Sequence, residues 1–523
     1  MSDSVIPRSV RRNHWMNHVA VHARMRPDAT AFKHLGAVTT WSEFHDRVQS
    51  LAAALQRRGV GFGDRVMLLT LNSTEVLEAV FAVNTLGAMA VPINIRLTPP
   101  EIAFIIDDAD ADAIIADALL APLIGATQQI TSRLKRIIIL GDASPDSDHE
   151  SSNDLIAEPL DGFEAPDVAE STPALIMYTS GTTGRPKGAM LDHLNLFSQA
   201  TSMVRINGDH PDDVAFVTAP FFHIAGLGSI ATSFLLGIPS IIHPLGAFNA
   251  LDTIKAWEAE RATVVFNVPT QWQAIVAEPY VKEADLALRI ISWGAAPASE
   301  TLLRQMTECF PNATNIAVFG QTEMSPVTCA LSGEDSLRKL GSVGKPLPTL
   351  MYRVVDAEMN DVAVGEVGEI VYLGPNLMQG YWRRDDATAE AFRGGWFHSG
   401  DLVRQDEEGF VWIVDRAKDM IISGGENVYC AEVENTLFAH PDIVDVAVYG
   451  RADDKWGEVP VAAVVLAPGA QLTIDELEVW MDDKLARFKQ PKALVVHDEL
   501  PRNAGGKVVK GLLRDGDSTS AVG

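Results

Sequence analysis

Directly behind an apolar run, Ala174-Leu-Ile-Met-Tyr178, the chain turns into a stretch of small and hydroxylated residues. The eleven residues from Tyr178 to Gly188 hold three glycines, four Ser/Thr hydroxyls and one lysine. The apolar run reads as a buried strand. Small residues let backbone N–H groups approach an anion closely, the hydroxyls add donors, and Lys187 adds a point charge, which together make a phosphate cradle. It is not a Walker loop, because no Gly-Lys-Ser/Thr follows a four-residue spacer. The plain alternative is a flexible surface loop, but such loops rarely combine an upstream strand, these hydroxyls and the lysine.

The segments before it alternate between two periods. Val48–Arg58 is spaced as an amphipathic helix, and Arg65–Thr70 as a strand. Ser73 is an N-cap candidate for a helix with Glu75 and Glu78 in its first turns, ending near Gly87. Ala90–Asn94 and Arg136–Leu140 read as further strands. Such alternation predicts an α/β fold, a mainly parallel sheet covered by helices. Gly141–Thr172, rich in Ser, Pro and Asp, reads as an exposed acidic loop leading to the phosphate strand. His14, His18 and His22 fall on one face of a helix and read as a partly exposed structural face; no carboxylate or cysteine nearby completes a metal site.

At 523 residues the chain exceeds one usual core, so at least two domains are expected. A net charge of -27 argues against a nucleic-acid or anionic-membrane binder, and phosphate binding must then rely on local cradles. Three widely spaced cysteines, Cys309, Cys329 and Cys430, suit a reducing cytosol rather than a disulfide framework. No apolar run has the length of a membrane span, and the N-terminus lacks a secretion signal, so a cytoplasmic protein is expected. Peripheral membrane contact and a homodimer stay open. Charged residues and a glycine pair between two periodic segments suit a hinge near Asp415–Asp419.

Five further motifs follow the loop in order: Phe319-Gly-Gln-Thr-Glu323, Gly395-Trp-Phe-His-Ser-Gly-Asp401, Asp415-Arg-Ala-Lys-Asp419, Ser423-Gly-Gly-Glu-Asn427 and Pro501-Arg-Asn-Ala-Gly-Gly-Lys507. Together with the loop they resemble the adenylate-forming superfamily of acyl-CoA synthetases, peptide-synthetase adenylation domains and luciferases, and most of all a bacterial (actinobacterial) fatty acyl-CoA synthetase. The resemblance implies a large N-terminal domain of helix-covered sheets (1–415), a hinge (416–418) and a small mobile α/β lid (419–523). It implies ATP, Mg²⁺ and coenzyme A as cofactors and a small carboxylic acid as substrate.

The resemblance also assigns residues. Thr179, Ser180, Gly181, Thr182, Thr183 and Lys187 match the phosphate loop. Glu323 matches a metal-associated glutamate, a hard oxygen ligand suited to magnesium. Gly294, Ala295, Ala296 and Pro297 resemble the loop that lines adenine, with Phe319, Gly320, Gln321 and Thr322 beyond it. Asp401 and Arg416 match ribose contacts. Lys507 matches the lysine that bridges the attacking carboxylate and the α-phosphate, stabilising charge that builds in the transition state. Lys418 falls at the hinge position, and Gly424 and Gly425 resemble the segment beside the pantetheine tunnel.

The acyl site reads from His223, Leu227, Val268 and Met324. Relatives that activate amino acids commonly carry Asp where this chain has His223, so a simple acid is expected. The apolar surroundings, with Ile224, Ile230, Phe234 and Val327, favour an aliphatic tail, because burial stabilises each CH₂ by about 0.8 kcal/mol. Leu227, where some relatives carry Trp, predicts an open channel. The leading expectation is therefore a medium-to-long-chain fatty acid:CoA ligase working through an acyl-AMP. An aryl or other carboxylate CoA ligase is the first alternative. A fatty acyl-AMP ligase that loads a carrier protein is the second, and a non-catalytic nucleotide sensor comes from a different class.

Overall fold

The computed structural model describes residues 12–144, 148–179, 186–296, 298–417, 419–423, 426–453, 455–482, 484–503 and 506–520. The chain divides into two compact units, Met1–Met351 with Leu373–Arg393, and Tyr352–Tyr372 with Gly394–Gly523. The fold is α/β, a large unit of mixed sheets with covering helices and a smaller C-terminal one.

The first unit holds two sheets. In the eight-stranded one, Arg65–Leu69, Met89–Pro92, Ala113–Asp117 and Arg136–Leu140 run parallel, and Pro173–Thr179 joins them beside Met89–Pro92. Lys187–Asp192 then returns antiparallel, and the two-residue strand Gly380–Tyr381 pairs with its outer edge. Buried Met67, Leu69, Val91, Ile106, Ile114 and Ile176 form part of its core. The runs are nearly continuous in apolar residues, as strands covered on both faces require.

The nine-stranded sheet carries six neighbouring parallel strands, Thr30–His34, Ser240–Ile242, Ala215–Val217, Val264–Asn267, Ile290–Gly294 and Thr314–Gly320. Val327–Leu331 closes that side antiparallel. Asn72 ties the two sheets together: its amide donates to the Ala219 carbonyl at 2.9 Å and accepts the Phe221 N–H at 2.9 Å.

Three local expectations need correction. The helix expected from Val48 begins at Trp41, because Thr40 and Glu43 form a capping box that starts it earlier. Within the expected loop Gly141–Thr172, Glu150–Ser151 pairs with the sheet and Ser152–Ile156 is helical. Some of its acids are paired: Glu158 bonds to Arg57 and Arg58, and Asp167 and Glu170 bond to Arg12, while Asp161 and Glu164 are exposed. Hydrogen bonds from Arg58 and Arg57 bring the Glu158 carboxyl down to about 2. The histidine face is buried rather than partly exposed at His14 and His22, because the helix Trp15–Met25 packs against Ile224–Leu236 and His22 Nε2 lies 2.8 Å from the Phe234 carbonyl. Among the described residues no group of three or more His, Cys, Asp or Glu side chains is arranged to hold a metal, and no helix is long and apolar enough to cross a membrane.

In the second unit, Val367–Leu373, Phe397–Gln405 and Val411–Arg416 form an antiparallel sheet with Met351–Val355. The long hairpin Ile443–Asp453 and Gly457–Leu466 centres another. The helices Cys430–Phe438 and Ile474–Met481 cover one face through Val433, Leu437, Leu477 and Met481. Leu513 of the helix Lys510–Ser520 packs with Tyr449, Val461 and Leu500.

Candidate active site

Ligands of open parallel sheets sit outside the carboxyl ends of the strands. In the nine-stranded sheet those ends carry Val268, Gly294, Ala295, Ala296, and Phe319 through Met324. Gly294 pairs with Val318 on the adjacent strand, so the small-residue turn stands beside Phe319. Ala295 adopts φ 66 and is exposed with Ala296, while Phe319, Gln321 and Thr322 are half-buried and Gly320 is exposed. That edge offers one aromatic face beside accessible backbone, which suits a purine. Pro297 lies outside the described residues.

The phosphate loop is bounded by a hairpin. Thr179 ends one strand and pairs with Lys187, which begins the next. Ser180, Gly181, Thr182 and Thr183 lie outside the described residues. Glu323 occupies a single 3₁₀ turn, Thr322–Met324, and is buried. Its Oε1 accepts the Tyr381 hydroxyl at 2.9 Å. Its other oxygen has no partner among the described residues, and a carboxylate oxygen of this kind fits a hard divalent cation.

His223 N-caps the helix Ile224–Leu236 and is half-buried, as is Val268. Leu227, Ile230, Phe234 and Met324 have no accessible surface at all, each at 0%. Side chains with no accessible surface line no void that admits water. No open space therefore stands against Leu227, Ile230, Phe234 or Met324, while His223 and Val268 remain half-buried. The cause lies partly in Gly228, where a Cβ would stand 2.7 Å from Pro326 Cδ. The helix is seated directly on the turn that carries Glu323.

In the second unit, Asp401 is buried at 1% exposure and faces Arg416 across the sheet, with Arg416 Nε 2.7 Å from its Oδ1. Lys507 is exposed on a tight loop: Asn503 Oδ1 accepts its N–H at 3.0 Å, and its carbonyl accepts the Asn503 N–H at 2.9 Å. Arg502 donates to the Gly506 carbonyl at 2.8 Å and pairs with Asp445 at 2.6 Å, bracing the loop from its start. Lys418, Gly424 and Gly425 lie outside the described residues. Cys430, buried, donates its thiol to the Asp419 carbonyl, and burial pushes that thiol up to about 12. It is inert packing.

A polar cleft of about 670 Å³ opens at the opposite, amino-terminal edge of the eight-stranded sheet, lined by Arg65, Arg133, Arg136, Asp110 and Asp112 among others. Its guanidinium groups are already bonded to Asp110, Asp112 and nearby carbonyls, so it offers no free anion site.

Asn72, Asn376 and Tyr381 were not among the residues expected from sequence. Asn376 donates to the Met324 carbonyl at 2.8 Å and the Val327 carbonyl at 3.1 Å, fixing the back of the Glu323 turn. None stands at a spacing from its partner that any motif describes.

Comparison with known proteins decides the family. The model of the AMP-binding enzymes matches residues 19–382, and that of the AMP-binding enzyme C-terminal domain matches residues 432–507. The chain is an AMP-binding enzyme. Feruloyl-CoA synthase of Amycolatopsis sp is 40% identical to it over 94% of this chain and 96% of its own length. Indoleacetate–CoA ligase of Aromatoleum aromaticum is 37% identical over 94% and 95%. The o-succinylbenzoate CoA synthetase from Bacillus subtilis, solved with its acyl-adenylate intermediate, superposes on this AMP-binding enzyme with a TM-score of 0.85 at 30% identity, covering 95% of this chain and 98% of that one.

Proposed function

We propose that this AMP-binding enzyme is an ATP-dependent carboxylic acid:coenzyme A ligase acting on an aryl-bearing acid. The observation that carries the ligase reading is the 40% identity to a feruloyl-CoA synthase across nearly the full length of both chains. The curated relatives at 33–40% identity are named for feruloyl, indoleacetate and 2-succinylbenzoate, all aromatic, whereas a solved fatty acyl CoA synthetase is similar at 30%. This favours the aryl alternative over the fatty-acid expectation.

The chemistry divides in two. In the first half a carboxylate oxygen attacks the α-phosphorus of ATP, the bond to the β-phosphate oxygen breaks, and pyrophosphate leaves. Glu323 would hold a magnesium ion, which would supply charge neutralisation at the phosphates. Lys187 and the loop after Thr179 grip the departing phosphates. The adenine lies along Gly294–Pro297 and Phe319–Thr322, and Asp401 with Arg416 take the ribose hydroxyls. Lys507 stabilises charge on the attacking and α-phosphate oxygens. In the second half the thiol of coenzyme A loses its proton, sulfur attacks the acyl carbon, and AMP leaves. Lys418, Gly424 and Gly425 belong to that half.

The test is CoA-dependent AMP release across ferulate, indoleacetate, benzoate, 2-succinylbenzoate, octanoate and palmitate. An aryl acid is expected to lead in kcat/KM by about tenfold or more, the scale of one or two misplaced methylenes. A fatty acid leading the panel would restore the aliphatic reading, and no AMP release with any acid would sink both.

A further inference from the structure

Tyr381 touches two candidate phosphate-site groups at once. Its hydroxyl donates to Glu323 Oε1 at 2.9 Å, and the ammonium of Lys187 lies over its ring, 5.2 Å from the centroid. Glu323 and Lys187 come from different sheets, and Tyr381 belongs to a third segment, Leu373–Arg393.

That segment is laced to both. Met378 N–H donates to the Glu323 carbonyl at 2.8 Å, Gln379 N–H to the Met190 carbonyl at 2.9 Å, and Trp382 N–H to the Gly188 carbonyl at 2.7 Å. Tyr381 itself pairs with Ala189, two residues beyond Lys187. The aim of the ring is fixed from behind. Tyr381 N–H donates to Thr388 Oγ1 at 2.9 Å, and Gly380, at φ +144, leaves no room for a Cβ, which would stand 2.8 Å from Thr388 Cγ2.

We infer that Tyr381 is a positioning residue that sets the metal-holding carboxylate of Glu323 and the phosphate-holding ammonium of Lys187 in register with each other. Its hydroxyl takes one carboxylate oxygen and turns the other toward the cation. Its ring face gives the ammonium a resting place when no phosphate is bound, which attracts a cation electrostatically without a competing carboxylate. A direct ion pair between Glu323 and Lys187 would instead occupy both groups. The inference deepens the ligase reading and rests on it.

Two variants separate the two contacts. Tyr381→Phe removes the hydroxyl and keeps the ring; Tyr381→Leu removes both. Calorimetric titration would measure ATP binding with and without magnesium, and pyrophosphate exchange would be followed against magnesium concentration. For Tyr381→Phe, metal-free ATP affinity should stay within about twofold, while the half-saturating magnesium concentration rises about tenfold, the scale of one hydrogen bond to a charged group. For Tyr381→Leu, metal-free ATP affinity should also fall about three- to tenfold. Melting temperatures of both variants distinguish this from loss of fold.

Unchanged magnesium dependence in Tyr381→Phe, or identical behaviour of the two variants, would overturn the inference while leaving the ligase reading standing. Parent enzyme that neither binds magnesium-ATP nor exchanges pyrophosphate with any acid would end both.

Discussion

At the residue scale the chemistry rests on a few side chains with separable duties. Lys507 is presented by a loop braced by its own backbone hydrogen bonds to Asn503 and by Arg502. Lys507→Ala keeps those backbone bonds. It is expected to slow acyl-AMP formation by roughly 100- to 1,000-fold, the usual loss on removing one charge-stabilising donor. Thioester formation from chemically made acyl-AMP should survive. Single-turnover assays of each half check this, and equal loss in both would point to a binding or folding defect. The motif residues stand out in the sequence because each motif occupies a short stretch of chain. Tyr381 does not, since 58 residues separate it from Glu323 and strand pairing alone sets the 2.9 Å contact.

At the scale of elements, the helix Ile224–Leu236 is seated on the turn that carries Glu323. Gly228 sits in the helix Ile224–Leu236, and an added Cβ would meet the rigid ring of Pro326 at 2.7 Å. Gly125 sits in the helix Ala121–Gln128 with nothing within 4 Å. Gly125→Ala should stabilise the protein by about 0.5–1 kcal/mol, the ordinary gain of alanine over glycine in a helix. Gly228→Ala should destabilise it by about 1–3 kcal/mol through overpacking and push the helix off the Glu323 turn, lowering kcat for adenylation as well. Denaturant melts of the two variants give the comparison, and a stabilising Gly228→Ala would show that the turn yields freely. Helix existence was readable from periodicity and caps; the helix after Ser73 runs from Thr74 to Thr85 with Ser73 accepting the Val76 N–H. Contact between this helix and that turn was not readable, because it joins residues about a hundred positions apart.

At the scale of the whole molecule, two half-reactions with different acceptors ask for two arrangements of one active site. We expect Lys418→Pro, which fixes one backbone φ at the hinge position, to leave pyrophosphate exchange near the parent rate while CoA-dependent product formation falls. Stopped-flow detection of acyl-AMP followed by CoA addition would measure both, and parallel loss of the two steps would speak against a hinge at this residue.

Local chemistry, which sequence alone carries, determined the α/β class, the strand that ends at Thr179, the order of the motifs and the family. A strand, a cap or a short loop is specified by neighbours in the chain, so its signal is contiguous. The relatives' acids favour the aryl alternative over the fatty-acid expectation, and apolar composition by itself does not tell a pocket wall from solid core. Leu227, Ile230, Phe234 and Met324 are equally apolar in either role, and only packing shows that they enclose no space. Tertiary structure alone also set Asn72 between the sheets, Asn376 behind the Glu323 turn and Tyr381 between Glu323 and Lys187. Each is a polar contact between segments far apart in sequence, and which segments meet is decided by the whole fold.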